Sequence, residues 1–144
     1  MRLDDPGWCL VVPIKRLELA KSRLAGPAAP HRQELALAFA VDTVEAALAC
    51  APVLAVVTVT DDAAAARAVA AVGATLVADE PDAGLNPALR HGVTAAVALH
   101  PGARVGSLSA DLPALRPAEL ADALAEAAHH DVSFVRDRAG TGTT

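Results

Sequence analysis

The sequence predicts an α/β protein, a mainly parallel sheet with helices on both of its faces. Three observations predict it. Short apolar runs alternate in regular order with longer stretches of helical periodicity, which is the pattern of repeated β-α-β units. The apolar runs are nearly continuous rather than alternating, as expected for strands covered on both sides. Capping residues, prolines and glycines stand where the helical stretches begin and end.

The elements follow in order. Residues 8–14, WCLVVPI, form the first strand. Residues 31–50 form a helix, because Leu37, Val41, Val44 and Leu48 recur at helical spacing while Glu34 and Glu45 fall elsewhere. The second strand, VLAVVTVT at 53–60, leads into an alanine-rich helix capped by Asp61 or Asp62 and closed at Gly73. Residues 74–78 give a third short strand. After the loop DEPDAGL, Asn86 is the expected N-cap and Pro87 the first helical residue of a helix reaching about His100. A fourth strand at 103–110, a helix opened by Pro117 at 117–130 and a fifth strand at 131–136 complete the series.

The totals bound what such a fold can do. A chain of 144 residues suits a single domain, 1–144. With 53% hydrophobic residues and a net charge of −5, it belongs with soluble globular proteins rather than disordered ones. Its 12 Lys and Arg form no basic run and aromatic residues are 2%, so no nucleic-acid partner is expected. The opening MRLDDPGW is unlike a signal peptide, and no apolar run reaches the ~18 residues of a membrane span, so no membrane partner and a cytoplasmic location are expected. Cys9 and Cys50 lie on separate elements without Cys-x-x-Cys spacing and are expected to be buried thiols in a reducing compartment.

Ligands of open parallel sheets bind beyond the carboxyl ends of the strands, so the residues after each strand carry the functional argument. The first strand is followed by Lys15, Arg16, Lys21 and Arg23, the second by Asp61 and Asp62, and the third by Asp79, Glu80 and Asp82. Asp111 follows the fourth, and Arg136, Asp137 and Arg138 the fifth. Cations and carboxylates therefore gather on one edge. Lys15, Lys21 and Arg23 within one connection can neutralise a triphosphate, although solvated charges on a helical turn would look the same. Neither a Walker loop nor a G-x-G-x-x-G follows the first strand. Asp111, before Leu112-Pro113, can hold Mg2+ against phosphates or simply make a turn. Asn86 reads as a helix cap or as a nucleotide contact at a helix mouth. The glycines and threonines from Gly140 to Thr143 offer backbone N–H groups and hydroxyls to a small anion. The five histidines lack zinc spacing, and Ser107 and Ser109 lack a nucleophile elbow.

Four segments in this order, VVPIKRLELAKSRLA, GLNPALRHG, SADLPAL and FVRDRAGTGTT, resemble the CofC guanylyltransferases of coenzyme F-420 biosynthesis, and the resemblance spans nearly the whole chain. It implies a glycosyltransferase-A-like nucleotidyltransferase fold. The implied reaction joins GMP from GTP to phosphoenolpyruvate or 2-phospho-L-lactate with release of pyrophosphate. By the same resemblance Lys15, Lys21 and Arg23 contact the GTP phosphates, Asn86 lies at the nucleotide site, Asp111 is a Mg2+ ligand and Thr143 binds the phosphorylated acid. The catalytic set is then Lys15, Lys21 and Asp111. The family pattern continues beyond the Gly-Thr loop with a Gly and Ser contact to the acid and a D-x-D-x-P aspartate that completes the metal site. The chain is accordingly expected to lack a C-terminal part, which leaves a strand edge open to homodimerisation. Two other readings are a molybdenum cofactor guanylyltransferase, whose Gly-rich first loop is missing, and a nucleotide-binding module without turnover.

Overall fold

The computed structural model describes residues 5–18, 30–80 and 82–141. Its elements are β1 (Trp8–Pro13), α1 (Arg32–Leu48), β2 (Val53–Val59), α2 (Ala63–Ala71), β3 (Thr75–Val77), α3 (Leu85–Leu99), β4 (Arg104–Ser107) and α4 (Pro117–Ala127). The four strands form one sheet in the order β3-β2-β1-β4, and every pairing is parallel. No helix among the described residues is long and apolar enough to cross a membrane.

The apolar strands explain the layers. Along β1 and the residue after it, Trp8, Leu10, Val12 and Ile14 join a core that includes residues of α1, α2 and α4. Cys9 and Val11 point to the other face, where they meet Val57, Val59 and the α3 alanines Ala88 and Ala96. Both faces are therefore covered, as the continuous apolar runs require. Handedness accounts for the placement of the first three helices. The chain moves one way from β1 to β3, with α1 and α2 on one side. It then crosses back past β1 to β4, and a right-handed crossover in that direction puts α3 on the opposite side.

Several boundaries depart from expectation for local reasons. The buried residues of α1 are Ala36, Ala40, Thr43, Val44 and Ala47, so the stripe is turned from the Leu37–Val41–Val44–Leu48 series. Small residues face down and the leucines pack at the margin of the core. Asp62, rather than Asp61, caps α2, its carboxylate accepting from the Ala64 and Ala65 N–H groups at 3.0 Å. Asn86 is not the cap of α3. Gly84 takes that place with φ +105°, a left-handed conformation that favours glycine, and helical residues begin at Leu85. Pro87 still falls in the first turn, where its missing N–H costs nothing.

The expected strand at 131–136 is reduced to a single bridge residue, Arg136. Val132, Phe134 and Val135 are 85%, 65% and 57% exposed, and the sheet ends at β4. The apolar character of DVSFVR gives it strand propensity. A strand nevertheless needs a partner for its N–H and C=O groups, and among the described residues no strand pairs with β4 on its outer side. Val135 instead lines an apolar hollow with Leu108, Leu112, Leu115 and Leu120.

Cys9 and Cys50 are buried and unbridged, as expected, and burial pushes both thiols above their ordinary range. Gly92 sets the distance of α3 from the sheet. A Cβ there would lie 2.7 Å from Val59 Cγ2 and closer still to Val11 Cγ1. Gly92→Ala is therefore expected to destabilise the fold by about 1–3 kcal/mol, despite alanine's better helix propensity. Urea unfolding checks this, and a variant as stable as wild type would mean that α3 can lift off the sheet at little cost.

Candidate functional site

The strand order sets two loops side by side. β1 and β4 are parallel neighbours with Val11 in register with Ser107, so their carboxyl ends adjoin, and an open parallel sheet takes its ligands in the space beyond such ends. The loop that begins with Ile14-Lys15-Arg16-Leu17 flanks it on one side, and the loop carrying Asp111 flanks it on the other. Both loops start from fixed backbone. Ile14 N–H donates to the Val59 carbonyl at 2.9 Å, and Leu108 N–H donates to the Val11 carbonyl at 3.0 Å.

The first loop is then tied across three strand ends. Leu17 N–H donates to Asp62 Oδ2 at 2.9 Å, so one carboxylate caps α2 and anchors the loop. Burial pushes the Asp62 carboxyl upward, but N–H groups of Ala65, Leu17 and Ala64 outweigh it and the net shift is downward. Arg16 reaches sideways to Asp61 (Nε to Oδ2, 2.7 Å) and to Asp82 (3.3 Å). Its guanidinium holds Asp61 below the usual carboxylate range, and Asp61 in turn raises the Arg16 pKa. Arg16 thus fixes the ends of β1, β2 and β3 together. Asp82 holds a left-handed φ of +53°, which aspartate tolerates better than most residues. Lys15, between the anchored Ile14 and Arg16, is exposed just beyond the carboxyl end of β1.

Asp79 stands beside this network with its Oδ1 buried and without a hydrogen-bond partner among the described residues. Burial, then Asp82 and Asp61, push its carboxyl above the ordinary range. An acid whose pKa is raised on folding costs the folded state stability once the pH exceeds its unfolded value, and that cost is absent below it. Asp79→Asn is therefore expected to raise the melting temperature by roughly a few degrees at pH 7. The gain should shrink as the pH falls through the carboxylate range. Melts at a series of pH values test this, and a gain independent of pH would show that Asp79 carries no such cost.

On the β4 side, Asp111 is exposed, and Ser109 Oγ donates to its Oδ1 at 2.5 Å. Leu112 N–H donates to Thr43 Oγ1 of α1 at 3.0 Å. Asp111 and Ser109 form a hard-oxygen donor set. Mg2+ commonly takes one or two carboxylates and completes its shell with phosphate and water, so these residues fit it. No group of three or more His, Cys, Asp or Glu that could hold a metal occurs among the described residues.

Of the residues expected at the site, Lys15 and Asp111 lie on the two loops that follow the neighbouring strands β1 and β4, and Asn86 is exposed in the first turn of α3. Lys21, Arg23 and Thr143 lie outside the described residues. At the end of the described chain, Asp137 closes a turn by accepting from Thr141 N–H at 3.0 Å on its side chain and from Gly140 N–H at 3.0 Å on its carbonyl. Arg16's bridging role and the Thr43 contact were not apparent from the sequence. The acidic residues after β2 and β3, opposite a basic residue after β1, are the signal that could have suggested the first.

A family profile described as guanylyl transferase CofC like matches residues 8–144. Curated relatives named phosphoenolpyruvate guanylyltransferase include one from Thermomonospora curvata, 60% identical over 95% of this chain and 60% of its own length. One from Streptosporangium roseum is 56% identical over 98% of this chain and 63% of its own. The protein of that name from Streptomyces coelicolor is 57% identical over 95% of this chain and 65% of its own. The chain thus spans less than two thirds of the length of these relatives.

Proposed function

This chain belongs to the CofC-like guanylyl transferase family, and on that footing we propose that it transfers GMP from GTP to phosphoenolpyruvate with release of pyrophosphate, in coenzyme F-420 biosynthesis. The observation that carries the proposal is that the Lys15 loop and the Asp111 loop follow the adjoining carboxyl ends of the neighbouring parallel strands β1 and β4. The names of the relatives favour phosphoenolpyruvate over 2-phospho-L-lactate as the acceptor.

The chemistry suits a site without a histidine or cysteine catalyst. A phosphate oxygen of the acceptor attacks the α-phosphorus of GTP as the bond to the β-phosphate's bridging oxygen breaks, and pyrophosphate leaves with that electron pair. The nucleophile is already an anion, so no general base is needed. Positioning and charge neutralisation then carry the rate. Lys15, with Lys21 and Arg23 further along the same connection, neutralises the triphosphate. Asn86 contacts the nucleotide from the first turn of α3, and Thr143 contacts the acid. Asp111, oriented by Ser109, would hold Mg2+, which when bound screens charge on the phosphates.

The test is pyrophosphate release with Mg2+ and GTP, offering phosphoenolpyruvate and 2-phospho-L-lactate separately and ATP as the control nucleotide. Release that needs phosphoenolpyruvate and prefers GTP is expected. Release with 2-phospho-L-lactate alone would change the acceptor, and nucleotide-indifferent release would overturn the assignment to GTP.

A further inference from the structure

The buried face of α1 is made of alanine, valine and one hydroxyl, that of Thr43, which is fully buried. A β-branched polar residue is a poor choice there on helix propensity, and a buried hydroxyl must find partners. Thr43 finds two. Its Oγ1–H donates to the Phe39 carbonyl one turn back, at 2.7 Å, which uses its single proton and fixes its orientation. The lone pairs so directed accept Leu112 N–H at 3.0 Å, across 69 positions of sequence. That N–H belongs to the peptide unit joining Asp111 to Leu112. The bond therefore fixes the plane on which Asp111 is mounted, while Ser109 Oγ holds Oδ1 of the same carboxylate. Leu115 N–H to the Leu112 carbonyl at 3.0 Å closes the next turn, so the anchor lies at the base of a structured loop.

We infer that Thr43 is a positioning residue for the metal-binding carboxylate: from the core of α1, its hydroxyl sets where Asp111 presents its oxygens. The inference rests on the proposed function, in which Asp111 holds Mg2+. Groups that orient a metal ligand from behind typically change metal affinity about 10–100-fold when lost.

The experiment is a Mn2+ water-proton relaxation titration of the chain with GTP, which reads metal affinity in the ternary complex without turnover, on wild type, Thr43→Val, Thr43→Ser and Asp111→Asn. Thr43→Val keeps the branched shape and removes the acceptor. It should weaken Mn2+ binding about 10–100-fold, and Thr43→Ser, which keeps the hydroxyl, should restore it to within a few-fold. Wild-type affinity in Thr43→Val, or equal weakness in Thr43→Ser, would overturn the inference. Should Thr43→Val fail to fold, amide exchange on wild type decides instead. Leu112 N–H, bound to a buried oxygen, must be protected, and exchange at the rate of an open loop would sink the idea. If Asp111→Asn binds Mn2+ as tightly as wild type, it is the metal role of Asp111 that fails, and the wild-type amide result stands apart from that failure.

Discussion

Asp111→Asn is expected to lower turnover with GTP and phosphoenolpyruvate about 10²–10³-fold, while leaving unfolding free energy within about 0.5 kcal/mol of wild type. The two halves have different origins. Asp111 is exposed on a loop beyond β4 and contributes little to the core, so its loss costs the fold little. Asparagine has nearly the same shape but no negative charge and one carbonyl oxygen instead of two, which makes it a weak ligand for a hard dication. Pyrophosphate release and thermal unfolding, measured on the same preparations, separate the two. Unchanged turnover would remove Asp111 from the mechanism, and a large loss of stability would make it a structural residue first.

Lys15→Ala should produce the second large effect, a fall of about 10²-fold in kcat/KM for GTP, in the range seen when one preorganised charge-stabilising donor is removed. Its neighbours make this residue informative. Arg16 is engaged with Asp61 and Asp82, and Leu17 N–H with Asp62, so the backbone on either side of Lys15 is held whether or not its ammonium is present. A loss in Lys15→Ala can then be read as lost charge rather than a collapsed loop. Lys15→Arg retains the charge with a different shape and is expected to recover only part of the rate. Rates for all three proteins at two salt concentrations would check the electrostatic origin, since a site that works through charge weakens as salt rises. Wild-type kcat/KM in Lys15→Ala would assign phosphate binding to other cations.

The sheet was legible in the sequence because its central strands are covered twice. WCLVVP and VLAVVTV are apolar on both faces, and no amphipathic helix reads that way. The same criterion failed at DVSFVR, where composition looked like a strand but partnership decided, and Val132, Phe134 and Val135 stay exposed. Asn86 misled for a related reason. Asn-Pro carries a cap signal in its side chains, whereas the actual cap, Gly84, works through backbone freedom and leaves none. At the candidate site, Lys15 and Asp111 could be singled out because position after a strand is a one-dimensional property. The Arg16 bridge to Asp61 and Asp82 depends on β1, β2 and β3 being neighbours in that order, and Thr43 hides inside an alanine-rich helix. Both are facts of three-dimensional neighbourhood that local pattern does not contain.

The place of β1 at the centre of the sheet also has a kinetic consequence. Of the described strands β1 is synthesised first, and it pairs on one side with β2 and on the other with β4, where Trp8 is in register with Arg104, nearly a hundred residues downstream. At ~5–20 residues per second, β1 waits roughly 5–20 s for its second neighbour. During that interval one edge of a strand made of Trp, Cys, Leu, Val and a closing Pro has no partner, and its early pairing with β2 is all that shields it. Parallel pairings of long sequence separation also fold slowly once synthesis ends. Yield in the cell should therefore depend on translation speed and chaperone supply more steeply than the equilibrium stability of the finished sheet would suggest.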